Sequence, residues 1–368
     1  MKPRNIRIGI IGVGQIGKAH VNNYKKVPGA ESVAVVDVNE AEARAVAEQN
    51  AIPSVFADFR ELLKRIDIDA VDVCLHNNLH APVTIAALDA GKHVYCEKPI
   101  AGSYLDGKTM VDAAARCGLR LSIQLSTLFS KETRIAKWLI TQGKLGRIYH
   151  ARSTGFRRRG RPFVDGYGTA SFVKKEIAGG GALYDMGVYH IAQILHLIGQ
   201  PAVERISGKV YQEAGMDEKR RRESGFNVEE LGLGLVRLAG GLTLDIIEAW
   251  AVCLNAFEGS SIVGSEGGLR LHPFSFHTTV ADLDMDATFD TQYADWRWHQ
   301  LRENQDAYDS PQHHWIAALQ GRVPLLPTAE IALQTMLISE GIYLSDRLGR
   351  EVSAEEVLQM STSSAAKV

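Results

Sequence analysis

Ile6-Arg7-Ile8-Gly9-Ile10-Ile11-Gly12-Val13-Gly14-Gln15-Ile16-Gly17 is the stretch that decides how the first third of the chain folds. The short, largely apolar run Ile6–Ile11 suits a parallel strand buried on both faces. A GxGxxG loop follows it and opens a helix predicted over residues 15–27. Gly12 permits the tight turn, Gly14 lets backbone approach a pyrophosphate, and Gly17 allows close helix–strand packing. The free N–H groups at the helix start, around Gln15 and Ile16, suit phosphates. Asp37 stands twenty residues beyond Gly17, at the end of a strand predicted over 32–38. A carboxylate there accepts hydrogen bonds from the adenosine ribose and repels a 2′-phosphate. NAD is therefore expected over NADP, although Arg44 keeps NADP open. Asp37 could instead cap the helix predicted over 40–50.

Outward from this loop, helices and strands alternate. Helices are predicted over 58–64, 80–90 and 103–117, with strands over 70–75, 93–96 and 119–125, a rhythm that defines a doubly wound α/β domain. Gly91 and Gly118 stand where helix ends want left-handed residues. After a helix at 132–142 the pattern changes to strand-like runs at 147–155, 202–212, 228–238, 242–252 and 260–263. Gly240-Gly241 marks a hairpin between two of them. One helix at 183–197 interrupts the run, and helices return at 314–319 and 329–348. The expected division is a dinucleotide-binding domain over 1–126 and a second α+β domain over 127–368 with a large open, mostly antiparallel sheet. Residues 216–224 read as an exposed loop or strand end, and 277–310 follow no regular pattern.

A chain of 368 residues is comfortable for two domains. Its 41 basic and 43 acidic side chains leave a net charge of −2, which offers no broad field for nucleic acid or an acidic membrane surface. Cys74, Cys96, Cys117 and Cys253 form no CxxC pair, so neither a zinc site nor a disulfide framework is expected, and no metal is predicted. The N-terminal apolar run is broken by Gly9, Gly12 and Gly14, unlike a signal peptide, and nothing approaches the ~20 apolar residues of a membrane span. A cytoplasmic protein is expected.

Two further stretches carry a resemblance. Gly91-Lys92-His93-Val94-Tyr95-Cys96-Glu97-Lys98-Pro99 and Gly179-Gly180-Gly181-Ala182-Leu183-Tyr184-Asp185-Met186-Gly187, together with the glycine loop, resemble the glucose–fructose oxidoreductase and inositol dehydrogenase family (Gfo/Idh/MocA). The resemblance implies a nicotinamide-dependent oxidoreductase moving hydride between NAD and a hydroxyl or keto carbon of a sugar or polyol. It also implies a homodimer or homotetramer assembled through the second domain's sheet, and a cis Lys98–Pro99 bond.

By the same resemblance, Lys98 sits beside the nicotinamide and handles the substrate hydroxyl proton. Its place at the end of a parallel strand agrees with where such sheets bind ligands, and burial could pull its pKa toward working pH. Glu97 pairs with Lys98 or the nicotinamide ribose. Asp185 and Tyr189 lie four residues apart and share a helical face. Many members of the family carry His where this chain has Tyr189, and the glucose–fructose oxidoreductase branch resembles this chain in using Tyr. Tyr189 is thus the expected acid/base, eased by the neighbouring ammonium, with Asp185 orienting a substrate hydroxyl. His190, about 100° away on a regular helix, is the reserve candidate. Arg157 and Arg158, in the run Arg157-Arg158-Arg159-Gly160-Arg161-Pro162, could reach a charged substrate or lie in a solvated loop. His76, Asn77, Asn78 and His80 follow the third predicted strand, and one of them, with Asn78 and His80 the candidates, is expected to line the nicotinamide pocket; His80 could equally open the next helix. Two rival readings remain: glycoside cleavage through transient oxidation, and a non-catalytic dinucleotide-binding regulator.

Overall fold

The computed structural model describes residues 4–368, so the first three residues of the expected 1–126 domain lie outside the described residues. Six parallel strands form the first sheet: β1 (Ile6–Ile11), β2 (Ala30–Val36), β3 (Ser54–Phe56), β4 (Ala70–Val73), β5 (His93–Cys96) and β6 (Leu121–Ile123). Their order is β3-β2-β1-β4-β5-β6, with helices in the connections, the doubly wound arrangement that places a ligand crevice where the strand order reverses, between β1 and β4. β3 was not foreseen, because three residues carry no readable periodicity. Helix Glu40–Asn50 is capped by Asn39, whose side chain accepts from the Glu42 N–H, so Asp37 is not the cap.

The second sheet has nine strands: β7 (Ile148–Phe156), β8 (Val203–Tyr211), β9 (Leu231–Leu238), β10 (Leu242–Ala249), β11 (Ser261–Gly264), β12 (Gly268–Leu271), β13 (Phe274–Val280), β14 (Leu283–Ala287) and β15 (Val352–Ser353). Their order is β14-β13-β12-β11-β7-β10-β9-β8-β15. Gly240 and Gly241, both at positive φ, turn the expected hairpin between β9 and β10. The β7–β10 pair is parallel; the other neighbouring pairs are antiparallel. Helices Val188–Ile198 and Thr328–Leu348 pack on this sheet. Two segments are more regular than their composition suggests. Residues 218–224 form a helix capped by Asp217, and the unpatterned 277–310 region contributes β13, β14 and helix Thr291–Leu301. Apart from Phe276, those strands are half-exposed or exposed, which weakens the apolar alternation that would have announced them.

The chain returns to the first sheet after completing the second. Trp315 and Ile316, on helix Pro311–Leu319, enter the core containing Ile8, Ile10 and Tyr95, and the Trp315 ring lies 5.9 Å from that of Tyr95. Farther on, Ser363 and Ser364 hydrogen-bond Asp106, on the helix capped by Ser103. Trp315 is fully buried. Trp315→Ala should therefore cost about 3–5 kcal/mol, read as a lower urea midpoint with an unchanged slope.

Candidate active site

The crevice is built by the C-terminal ends of the parallel strands. After β1, Gly12 adopts φ +94°, and a Cβ on it would strike the Cys74 carbonyl. A Cβ on Gly17 would strike the Gly12 carbonyl, whereas around Gly14 there is open space. The first helix, Gln15–Tyr24, thus starts with no side-chain cap at Gly14, and Gln15 and Ile16 are exposed at its mouth. Its leading N–H groups are available to an anion. Asp37 accepts the N–H groups of Val13 and Asn39, each at 2.9 Å, and this fixes its carboxylate at the end of β2. Arg44 is occupied by Glu40 on the surface. Open space, uncapped amides and a fixed carboxylate fit NAD.

At the end of β5, Lys98 meets the second domain. Its ammonium donates to Asp185 Oδ1 at 2.9 Å and to the Asp185 carbonyl at 3.3 Å, and lies 4.8 Å from the centre of the Tyr189 ring. Trp250 Nε1–H donates to Asp185 Oδ2 at 3.0 Å, and Arg157 approaches the same oxygen at 3.7 Å. The Lys98–Pro99 peptide is cis. Burial pulls the Lys98 pKa down, but Asp185, Tyr189 and Glu97 outweigh it, and the net direction is up. Burial raises Tyr189 more than the Lys98 ammonium lowers it. The direction for Lys98 is thus opposite to the expected pull toward neutrality, and for Tyr189 the expected easing by the ammonium is present but outweighed by burial.

The helix carrying Asp185 is not a regular α-helix. Leu183–Gly187 form a π turn before Val188–Ile198. Its N-terminal end is held by Glu229, which accepts from the N–H groups of Gly181 and Leu183 and from the Tyr343 hydroxyl. A π turn pairs residue i with i+5, but Tyr189 and His190 both lie in the regular helix that follows it, so the expected separation of about 100° between them stands. The His190 Nδ1 lies 2.9 Å from Glu248 Oε2, and Ser153 donates to the other oxygen of that carboxylate at 3.1 Å. A carboxylate only accepts, so Nδ1 carries a proton, and in the neutral ring Nε2 keeps its lone pair. Burial lowers the His190 pKa, Glu248 raises it more, and the net direction is up.

Other expected site residues are engaged elsewhere. His80 is fully buried, its ring nitrogens 2.8 Å and 3.0 Å from the carbonyls of Pro99 and Leu75; enclosed in this way it braces two loops and cannot face a cofactor. Asn78 donates to the Glu176 carbonyl at 3.4 Å, and neighbouring Asn77 to that of Ala178 at 2.8 Å, so both tie the first domain to the second. Of the arginine run, only Arg157 reaches Asp185. Arg158 is exposed and lines a separate cavity of about 420 Å³ that contains none of Lys98, Asp185 or Tyr189. Arg161 is buried and paired with Asp165 at 2.9 Å and Glu230 at 3.0 Å.

Glu248 and Trp250 were missed, although a signal existed for the first. Leu244, Ile246 and Glu248 occupy one face of β10 and are all buried, so a charge interrupts an apolar stripe.

Fold and site together define a two-domain oxidoreductase with an NAD-binding Rossmann domain. Residues 6–125 match the oxidoreductase family, NAD-binding Rossmann fold, and residues 133–270 match the GFO/IDH/MocA C-terminal domain. The chain is 32% identical to the D-glucoside 3-dehydrogenase of Escherichia coli over 283 residues, 74% of this chain and 79% of that one. It is 28% identical to the myo-inositol 2-dehydrogenase of Thermotoga maritima over 199 residues, 54% of this chain and 57% of that one. Among solved structures, a levoglucosan dehydrogenase in complex with NADH and levoglucosan superimposes with a TM-score of 0.77 at 22% identity, over 95% of this chain and all of that one. The chain belongs to the Gfo/Idh/MocA family of oxidoreductases.

Removing one partner of a buried ion pair strands the other. Arg161→Ala should thus cost about 3–5 kcal/mol in chemical denaturation. Asp37→Ala should weaken NAD binding and narrow the preference over NADP, measured by fluorescence titration of both reduced cofactors.

Proposed function

We propose that this enzyme oxidises a secondary hydroxyl of a sugar or polyol, with Lys98, Asp185 and His190 as its working groups. The observation that carries this reading is the Lys98–Asp185 pair, 2.9 Å apart, where the cofactor domain meets the second domain. The dehydrogenases of glucosides, inositol and levoglucosan among the relatives support the substrate class. With NAD as hydride acceptor, a carbon bearing H and OH becomes a carbonyl, its C–H electron pair leaving with the hydride.

Lys98, held cationic by Asp185, stabilises the negative charge that builds on the substrate oxygen. Asp185, fixed by Trp250, keeps a remaining oxygen lone pair for a neighbouring hydroxyl. Nε2 of His190 takes the hydroxyl proton while Glu248 holds the ring and stabilises the resulting imidazolium, the base-and-orienter arrangement of many hydrolytic and redox sites. Arg157, with its guanidinium at the carboxylate of Asp185, borders the substrate and suits an electron-rich substituent. The second reading keeps Tyr189 as proton acceptor, favoured by its ring's contact with the Lys98 ammonium. The protein works in a reducing compartment, the cytoplasm, in keeping with four unpaired cysteines. No helix among the described residues is long and apolar enough to cross a membrane. It assembles through the uncovered face of the second sheet, where Leu235 is exposed.

Lys98→Met should lower kcat by about a hundredfold to ten-thousandfold while NAD affinity changes little; near-normal turnover on a panel of aldoses and polyols would reject the assignment. Catalysis by neutral His190 is complete above its pKa and is lost as pH falls through it. Because that pKa is raised, the acid limb of kcat/KM should lie above the ordinary imidazole value, and Glu248→Gln should move it to lower pH. If Tyr189→Phe costs more than His190→Gln and the limb stays put in Glu248→Gln, Tyr189 is the proton acceptor. Following NADH absorbance alongside aglycone release separates net oxidation from glycoside cleavage.

A further inference from the structure

Beneath Lys98 lies a charged cluster that the reaction scheme leaves unused. His20, on helix Gln15–Tyr24, is 2% exposed and stands between two buried carboxylates. Its Nδ1 is 2.8 Å from Asp72 Oδ2 and its Nε2 is 2.9 Å from Glu97 Oε1. The Cys74 sulfur is 3.3 Å from Nδ1, the Tyr95 ring 5.8 Å from the imidazole, and Tyr24 belongs to the same helix.

Ionised carboxylates accept hydrogen bonds and cannot donate them. With a single ring proton, one nitrogen lone pair of His20 would face a carboxylate lone pair away from water, an arrangement that is costly to bury. Protonation of both nitrogens satisfies both contacts and offsets one of the two negative charges. Burial works against that cation, yet the Asp72 carboxylate outweighs it, and the His20 pKa is raised well above the ordinary imidazole value.

The second oxygen of Glu97 gives this cluster a target. Oε2 accepts the backbone N–H of Lys98 at 3.0 Å, while Oε1 is held by His20. Glu97 is thereby clamped at both oxygens, and the Lys98 backbone is fixed from the cofactor domain just as its ammonium is fixed by Asp185 from the other. The helix that holds His20 is also the one whose uncapped N-terminus opens the pyrophosphate cradle. We propose that His20 is a positioning residue: as an imidazolium bridging Asp72 and Glu97, it ties the cofactor helix to the backbone of Lys98 and so holds that ammonium at the reacting centre. The proposal rests on the catalytic assignment of Lys98. The ligand atoms of His20, Asp72 and Cys74 also lie within 4.8 Å of one another, a donor set that divalent transition metals accept, so the protonated bridge has a specific rival.

The test uses the full chain without cofactor, labelled with ¹⁵N-histidine. Both ring nitrogens of His20 should resonate as protonated from mildly acidic to mildly alkaline pH, and metal analysis of the unfolded protein should find less than a stoichiometric amount. His20→Gln and Asp72→Asn should each lower kcat about tenfold to a hundredfold, the size of effect expected when a reacting group is misplaced. NAD affinity should change by no more than about threefold, since these residues are not placed to touch the cofactor. The double variant should be little worse than the poorer single one, because both act through one chain of contacts. A neutral His20 ring, one bound metal per chain, or native-like variants with near-normal kcat would each overturn the proposal. If His20→Gln does not fold, the nitrogen resonances of the parent protein and the kinetics of Asp72→Asn still decide. Failure of the Lys98 assignment looks different: Lys98→Met would turn over normally while the His20 resonances stayed protonated.

Discussion

The ion pair between Lys98 and Asp185 brings the end of a parallel strand in the first domain against the helix start of the second, and the candidate site lies where they meet. Each group is largely withdrawn from water, with side-chain exposures of 13% and 19%, and each would be destabilising without the other. Trp250 and Glu229 serve that contact from the second domain, one by holding the Asp185 carboxylate and the other by securing the start of its helix. Asn77 and Asn78 serve it from the first, binding carbonyls of residues just before that helix.

Around this pair one electrostatic device recurs, a basic group backed by a buried carboxylate. Asp185 stands behind Lys98, Glu248 behind His190, and Asp72 with Glu97 on either side of His20. In all three the carboxylate outweighs burial, and the pKa moves upward. In the proposed reaction Lys98 is the group that stays cationic beside an oxygen that becomes negative as hydride departs, while His190 must be neutral to accept the proton. A lysine discharged by burial alone could act as a base but would stabilise no such charge.

The arginine-rich stretch shows how one sequence feature divides among tasks when the chain folds. Arg157 faces the carboxylate of Asp185, Arg158 faces solvent beside a separate cavity, and Arg161 is consumed in a buried network with Asp165 and Glu230. Nothing in the spacing distinguishes the three. Their fates follow from where β7 ends and how the loop folds over Trp250, with Arg159 bridging to Ala251.

By itself the sequence determined the features that depend on local chemistry. The glycine loop has one backbone solution between a buried strand and a helix, and Gly240-Gly241 can scarcely do anything but turn a hairpin. The Glu97-Lys98-Pro99 stretch and Asp185 were legible instead through the family resemblance that those stretches carry. Partnership at long range was decided by the tertiary structure alone. The helix around Asp185 opens with a π turn at Leu183–Gly187 that no regular spacing announces. Glu248 and Asp72 stood in the sequence as charges inside apolar strands, a sign that each needed a partner. That the partners are His190 and His20 followed only from folding, because a buried carboxylate is neutralised by whichever cation the packing of distant elements brings within reach.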